Sequence, residues 1–215
     1  MEARSLKAPI LCLVTPGTSR PSLESIRAAA RGGIDLIHIR ERHLDDRSLA
    51  ALVGAVVTVV AGTGARVVVN DRLDVALAAG AAGVHLRGDS MAAADARRLA
   101  PEGLLVGRSV HSVEEAQHTE RGGGADYLVF GTVFSSVNKP EGHPVAGVDA
   151  LRRACAAVRL PILAIGGVSE ANVAEVVAAG AAGVAAIGLF DANERVADAI
   201  RTVRRLFDTC YPHPQ

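Results

Sequence analysis

Short apolar runs alternate with stretches of helically spaced apolar positions from one end of the chain to the other. The runs fall at 10–14, 36–39, 67–69, 84–86, 104–106, 127–130, 162–165 and 184–187. Runs of that length, bounded by Gly, Pro or polar residues, read as strands buried on both faces of a parallel sheet. Between them, 22–31, 48–60, 73–79, 92–99, 113–120, 148–158, 170–179 and 196–207 carry apolar residues at helical spacing. Ser112 with Glu115 has the spacing of a capping box and sets the start of the fifth helix, and Ser169 is the expected N-cap of the seventh. Strict strand–helix alternation with eight strands and no long linker predicts an α/β protein, a single (βα)₈ TIM barrel over 1–215. An open doubly wound sheet is the alternative. It loses ground because the first strand–helix turn lacks the G-x-G-x-x-G of a dinucleotide site.

The stretch 160–190 gives this pattern its first chemical hint. Two successive strands end in glycine, at Gly166-Gly167 and at Gly188. Glycine turns at adjacent strand ends present backbone N–H groups to an anion, most simply a phosphate. Tight turning alone is the competing explanation. A related spelling, VALAAGAAGV at 75–84 and VAAGAAGV at 177–184, shows one helix-to-strand unit written twice. Small residues there let a helix pack close on the next strand, so the echo is open to a packing explanation too.

Composition narrows the class. The 215 residues are 49% hydrophobic, enough for one substantial core, and Lys+Arg and Asp+Glu both number 23. No basic field and only 3% aromatic residues argue against nucleic acid as a partner. The uncharged run 176–190, mostly Ala and Gly, falls short of a membrane span. Cys12, Cys155 and Cys210 are odd in number and far apart, which suits a reducing cytoplasm. The expectation is a cytoplasmic protein with a small-molecule partner, no membrane, and a possible homo-oligomer through its Ala-rich helix faces.

A barrel places its chemistry at the C-terminal ends of the strands. Those places hold His38, Arg40, Glu41 and Arg42 after the second strand, Asn70 and Asp71 after the third, and Arg87, Asp89 and Ser90 after the fourth. Arg108, Ser109 and His111 follow at the fifth, and Thr132, Ser135, Ser136, Asn138 and Lys139 at the sixth. Alternation puts His38 and Arg40 on one face and the flanking isoleucines on the other. Arg40 then either meets a ligand or pairs with a carboxylate such as Asp71. Arg42 and Lys139 are candidates to converge on the same anion. Asn70-Asp71 suits Mg²⁺ or the hydrogen bonding of a loop equally well. His111 is either an acid–base group or a hydrogen bonder beside a helix cap. The irregular 135–147 stretch is the candidate lid.

Several motifs in this order resemble the thiamine phosphate synthase superfamily, from residue 11 to about 206. They are LVT at 13–15, IHIRER at 37–42, VNDRLDVAL at 69–77, GVHL at 83–86 and GRSVHSVEEA at 107–116. ADYLVFGTVF at 125–134, NK at 138–139 and AIGGV at 164–168 complete the set. The superfamily fold is a (βα)₈ barrel.

Two branches of it compete. Resemblance to the synthase branch implies joining of 4-amino-5-hydroxymethyl-2-methylpyrimidine diphosphate to a thiazole phosphate with release of diphosphate. It carries over Arg40, Asn70, Asp71, Ser109, Ser136 and Lys139, with Mg²⁺ on two aspartates. This sequence departs at His38 for Gln, Arg42 for Lys, and Ser90 for the second aspartate, with Asp89 one residue early. Resemblance to the thiazole tautomerase, or TenI, branch is closer at IHIRER, Ser90 and GRSVHS. It implies a proton shift on a thiazole carboxylate phosphate with no cofactor, Arg40 on the carboxylate and Gly166, Gly167 and Gly188 on the phosphate. There Thr132 stands in place of a catalytic histidine, and a threonine hydroxyl is no base near neutral pH. His38, His111 or His143 would have to take over. The leading expectation is thus a TenI-like tautomerase, the alternative a thiamine phosphate synthase, and the third a non-catalytic binder of a phosphate ligand. Catalytic candidates are His38, His111, Thr132 and Lys139, and Asp71 and Asp89 are the metal candidates.

Overall fold

A computed structural model describes residues 6–17, 21–135, 144–190 and 196–210. Eight parallel strands close into a barrel in chain order, each paired with its sequence neighbour and the eighth with the first. They are β1 (Ile10–Val14), β2 (Leu36–Ile39), β3 (Arg66–Asn70), β4 (Gly83–Leu86), β5 (Leu105–Val110), β6 (Tyr127–Gly131), β7 (Ile162–Ile165) and β8 (Gly183–Ala186). The helices between and after them are α1 (Leu23–Arg31), α2 (Asp46–Val60), α3 (Leu73–Ala78), α4 (Ala93–Leu99), α5 (Val113–Gly122), α6 (Gly147–Ala157), α7 (Val173–Ala178) and α8 (Val196–Cys210). The closed barrel removes the open-sheet alternative. Among the described residues no helix is long and apolar enough to cross a membrane.

Strand alternation divides the core in two. Ile37 and Ile39 join the larger apolar cluster between sheet and helices, with Leu52, Val53 and Val56 of α2. The alternate positions Ile10, Cys12, Val14, Leu36, Val68, Leu105, Tyr127, Val129, Leu163 and Ala185 fill the barrel interior. His38, Asn70, His85 and Ser109 share the interior parity, one step nearer the C-terminal rim. The β2 alternation therefore works as expected.

Three local expectations need correction. β5 runs on to Val110, because Gly107-Arg108-Ser109 breaks the apolar run without breaking the strand. A Cβ on Gly107 would collide with the rings of Tyr127 and His85, so that interior position must be glycine. α7 begins at Val173, later than 170, and its N-cap position is Asn172. Ser169 instead opens the preceding turn. Asn172 Oδ1 accepts from the Ser169 N–H at 2.8 Å, and Nδ2 donates to the Gly167 carbonyl at 2.9 Å, which fixes the glycine turn. β8 starts at Gly183, one residue before the apolar run.

The capping box at α5 is present in a shifted form. Ser112 Oγ accepts from the Glu115 N–H at 3.1 Å, while the Glu115 carboxylate accepts from the His111 N–H at 2.7 Å.

Candidate active site

The C-terminal rim is assembled from backbone constraints first. Thr15, fully buried after β1, accepts the Arg40 N–H on its Oγ1 at 2.8 Å, while its own N–H donates to the His38 carbonyl at 3.0 Å. The IHIR segment is thereby fixed at the point where it leaves β2. Gly17 packs so near the Arg40 carbonyl that a Cβ there would sit 2.7 Å from its oxygen.

Beneath the rim lies a buried polar chain. His85 Nδ1 is 3.2 Å from Tyr127 Oη, and its Nε2 is 2.9 Å from Ser109 Oγ. The His38 and His85 rings are 4.7 Å apart between centroids. Asn70 lies beside the His38 ring, and the buried Nε2 of His38 has no partner among the described residues. Burial, then the neighbouring His85 and Arg40 charges, hold His38 well below the ordinary histidine value. Burial and Arg108 push His85 down to about 3. Both imidazoles are neutral near pH 7.

Around β2, β3 and β4 the rim opens into a cavity of about 290 Å³, lined on its polar side by Glu41, Arg42, Asn70, Asp71, Arg72 and Arg87. Arg40 is half-buried beside it, its pKa lowered by burial and by the charges of Arg42 and Arg87. Among the described residues neither Arg40 nor Arg42 makes an ion pair with a carboxylate. Glu41 has a fully buried side chain whose oxygens accept no hydrogen bond among the described residues; His43 Nδ1 lies 3.6 Å from it, and its charge is also felt by Arg40.

The structure settles the choice posed for Asp71 and Arg40. Asp71 does not pair with Arg40. Its Oδ2 forms an ion pair with Arg87 Nε and accepts from Asn70 Nδ2 at 3.1 Å. Its Oδ1 accepts from the Arg87 N–H at 2.9 Å and from Ser90 Oγ. Asp71 also adopts φ 59°, the left-handed conformation that an aspartate tolerates better than most residues. It therefore pins the loop after β4. Arg108 secures the same loop by donating to the carbonyls of Met91 at 2.6 Å and Gly88 at 2.8 Å.

This arrangement bears on Mg²⁺. A dication needs free carboxylate oxygens converging on one point. Here both oxygens of Asp71 are engaged, Ser90 brings a hydroxyl, and Asp89 is 73% exposed and faces Arg87 Nη2 at 3.3 Å. No group of three potential metal ligands occurs among the described residues. The donor set of Asp71 and Asp89 does not fit Mg²⁺ as it stands.

Other candidates separate cleanly. His111 puts its Nδ1 on the Gly131 carbonyl, the local hydrogen bond that was one of the two roles open to it. Thr132 follows β6 directly and packs against Gly166, where a Cβ would meet its side chain. A Cβ on Gly167 would strike Phe134 and the Ser135 carbonyl. Both glycines, at φ 99° and 64°, are thus required by packing whatever they bind. Gly188 differs: a Cβ there would touch nothing. Ser136, Lys139 and His143 lie outside the described residues, as does most of the expected lid. The rim residues that sequence reasoning left without a role are Glu41, Arg87 and Thr15.

With this geometry in hand, the relationship to known proteins is direct. The family model described as thiamine monophosphate synthase matches residues 11–190. The chain belongs to that family. The thiamine-phosphate synthase of Methanoculleus marisnigri is 43% identical over 190 residues, covering 88% of this chain and 90% of that protein. The Chlorobium luteolum thiamine-phosphate synthase is 38% identical over 202 residues, covering 94% of each. Among solved structures, thiamine phosphate pyrophosphorylase from Pyrococcus furiosus superposes with a TM-score of 0.82 at 33% identity, covering 94% of this chain and 96% of that one. The Methanoculleus and Chlorobium relatives carry the synthase name, and they favour the transferase expectation over the tautomerase one that IHIRER and Ser90 had suggested.

Proposed function

We propose that the chain is a thiamine phosphate synthase, transferring the aminopyrimidinylmethyl group from its diphosphate to the nitrogen of a thiazole phosphate. The observation that carries this reading is the convergence of Arg40, Arg42 and Arg87 around the β2–β4 cavity, with no carboxylate partner for Arg40 or Arg42 among the described residues. In the reaction the C–O bond to diphosphate breaks, the leaving group takes the electron pair, and the thiazole nitrogen lone pair forms the new C–N bond. The main demand is therefore on stabilising a departing anion, which guanidiniums meet with directed N–H donors. No side-chain base is needed, so Thr132 in place of a histidine is no obstacle. The glycine ends of β7 and β8, across the barrel's strand order, are the proposed seat of the thiazole phosphate. Two anion seats suit two phosphorylated substrates.

One observation favours a second reading: the neutral, buried His38 has an unpartnered Nε2, as a proton-transferring tautomerase would need. One assay separates the two. Both substrates are supplied in Mg²⁺ and, separately, in EDTA, and diphosphate and thiamine phosphate are followed together. The synthase reading expects equal amounts of both products, and Arg40→Ala should lower kcat/KM for the pyrimidine diphosphate about 100-fold. Absence of thiamine phosphate in either condition, with conversion of the thiazole carboxylate tautomer, would replace it with the tautomerase.

A further inference from the structure

The cation that faces Asp71 is already part of the chain. Arg87 Nε pairs with Asp71 Oδ2, its backbone N–H donates to Oδ1, and Ser90 Oγ takes up further capacity of the same oxygen. A metal ion on Asp71 would have to expel this guanidinium and would then find a serine hydroxyl, Ser90, as its neighbour. We propose that the β2–β4 mouth binds its diphosphate without a metal ion, with the Arg87 guanidinium, seated on Asp71, serving as the resident cation.

Three features support it. Arg87 lines the same cavity as Arg42 and Asn70, so the charge faces the volume where a ligand would lie. Its Nε and Nη2 face Asp71 and Asp89 as charge contacts, Nε without forming a hydrogen bond, while no carboxylate or carbonyl takes Nη1 among the described residues. A guanidinium anchored on one edge keeps its remaining N–H groups aimed, and loses less freedom on binding than a loose side chain. The position is also specific to loop closure: the loop holding Arg87 is fixed by Asp71 and by Arg108 from opposite sides.

The inference rests on reading this mouth as the diphosphate seat, and its test does not use turnover. Inorganic pyrophosphate is titrated calorimetrically into the full chain, first in EDTA and then with excess Mg²⁺. Binding in EDTA that Mg²⁺ does not tighten is expected, with Arg87→Gln weakening it about 10-fold or more. Binding that appears only with Mg²⁺, or an Arg87→Gln chain that binds pyrophosphate as the parent does, would overturn the proposal. Should Arg87→Gln not fold, Mn²⁺ titrated into the unaltered chain and followed by electron paramagnetic resonance gives an independent answer. The metal should stay free, and immobilisation by the parent chain that Asp71→Asn abolishes would sink the idea. Metal-free pyrophosphate binding without thiamine phosphate formation would keep this inference and remove the synthase reading. Thiamine phosphate formation with strictly metal-dependent pyrophosphate binding would do the reverse.

Discussion

The two rims of this barrel use the same residue types to opposite ends. At the N-terminal rim, Asp35 accepts the Leu11 N–H at 2.7 Å and pairs with Arg204 at 2.8 Å. Asp126 repeats the device: it accepts the Val106 N–H at 2.7 Å and pairs with Arg97, which also donates to the Leu104 carbonyl at 2.6 Å. Each carboxylate there has a backbone donor from the neighbouring strand and one guanidinium. At the C-terminal rim, among the described residues, only Asp71 is matched in that way. Among the described residues Arg40 and Arg42 make no ion pair with a carboxylate, and the buried Glu41 carboxylate accepts no hydrogen bond. Matched charge closes a fold, and unmatched charge is left for something that binds.

Glycine draws the same line, and it yields the largest expected effect. Gly183 opens β8 against β1, and a Cβ there would run into the Ile10 backbone. Gly83 does the same against Leu105 at the start of β4. The duplicated AAGAAG spelling is therefore a packing device, one of the two explanations the sequence left open. Gly183→Ala should cost about 3 kcal/mol or more in urea unfolding, because two paired strands must separate to admit the methyl. A loss under about 1 kcal/mol would mean the N-terminal rim is more yielding than its contacts imply.

Between the rims sit the neutral imidazoles, and pH probes them. A histidine with a depressed folded-state pKa binds protons more readily when unfolded. Its contribution is present above the ordinary value of 6.5 and is lost as pH falls towards the folded value, about 3 for His85. Each such histidine should add a slope of about 1.4 kcal/mol per pH unit on the acid side. Stability measured between about pH 6.5 and about pH 4.5 should fall with the slope of both histidines, and His85→Gln should remove one of the two contributions. An unchanged slope in that variant would show that His85 is not held neutral.

The sequence carried the barrel because strands buried on both faces spell themselves as apolar runs, as at β1, β2 and β7. It also carried the parity of His38 and Arg40. It did not carry β5 beyond 106, where interior Gly107 and Ser109 make room for Tyr127 and His85 and so look like a loop. Nor did it show that Arg87 rather than Arg40 would take Asp71. That choice depends on how two loops, sixteen positions apart in sequence, close on each other, and no local pattern encodes it. Glu41 was hidden for the same reason: it is buried although its neighbours in sequence are both arginines.

Gly188→Ala is the gentlest test of the division between the rims, and the most selective. Gly188 begins a short 3₁₀ turn after β8, and its backbone is not among the left-handed glycines. An added methyl meets no atom, so stability should stay within about 0.5 kcal/mol of the parent. Gly166 and Gly167 cannot be probed this way, since the loop after β6 already presses on them. If the thiazole phosphate lies over the ends of β7 and β8, the methyl intrudes where its oxygens must approach the backbone. Affinity for thiazole phosphate, titrated calorimetrically, should then drop about 10-fold while unfolding is unchanged. Unchanged affinity would move the phosphate away from Gly188.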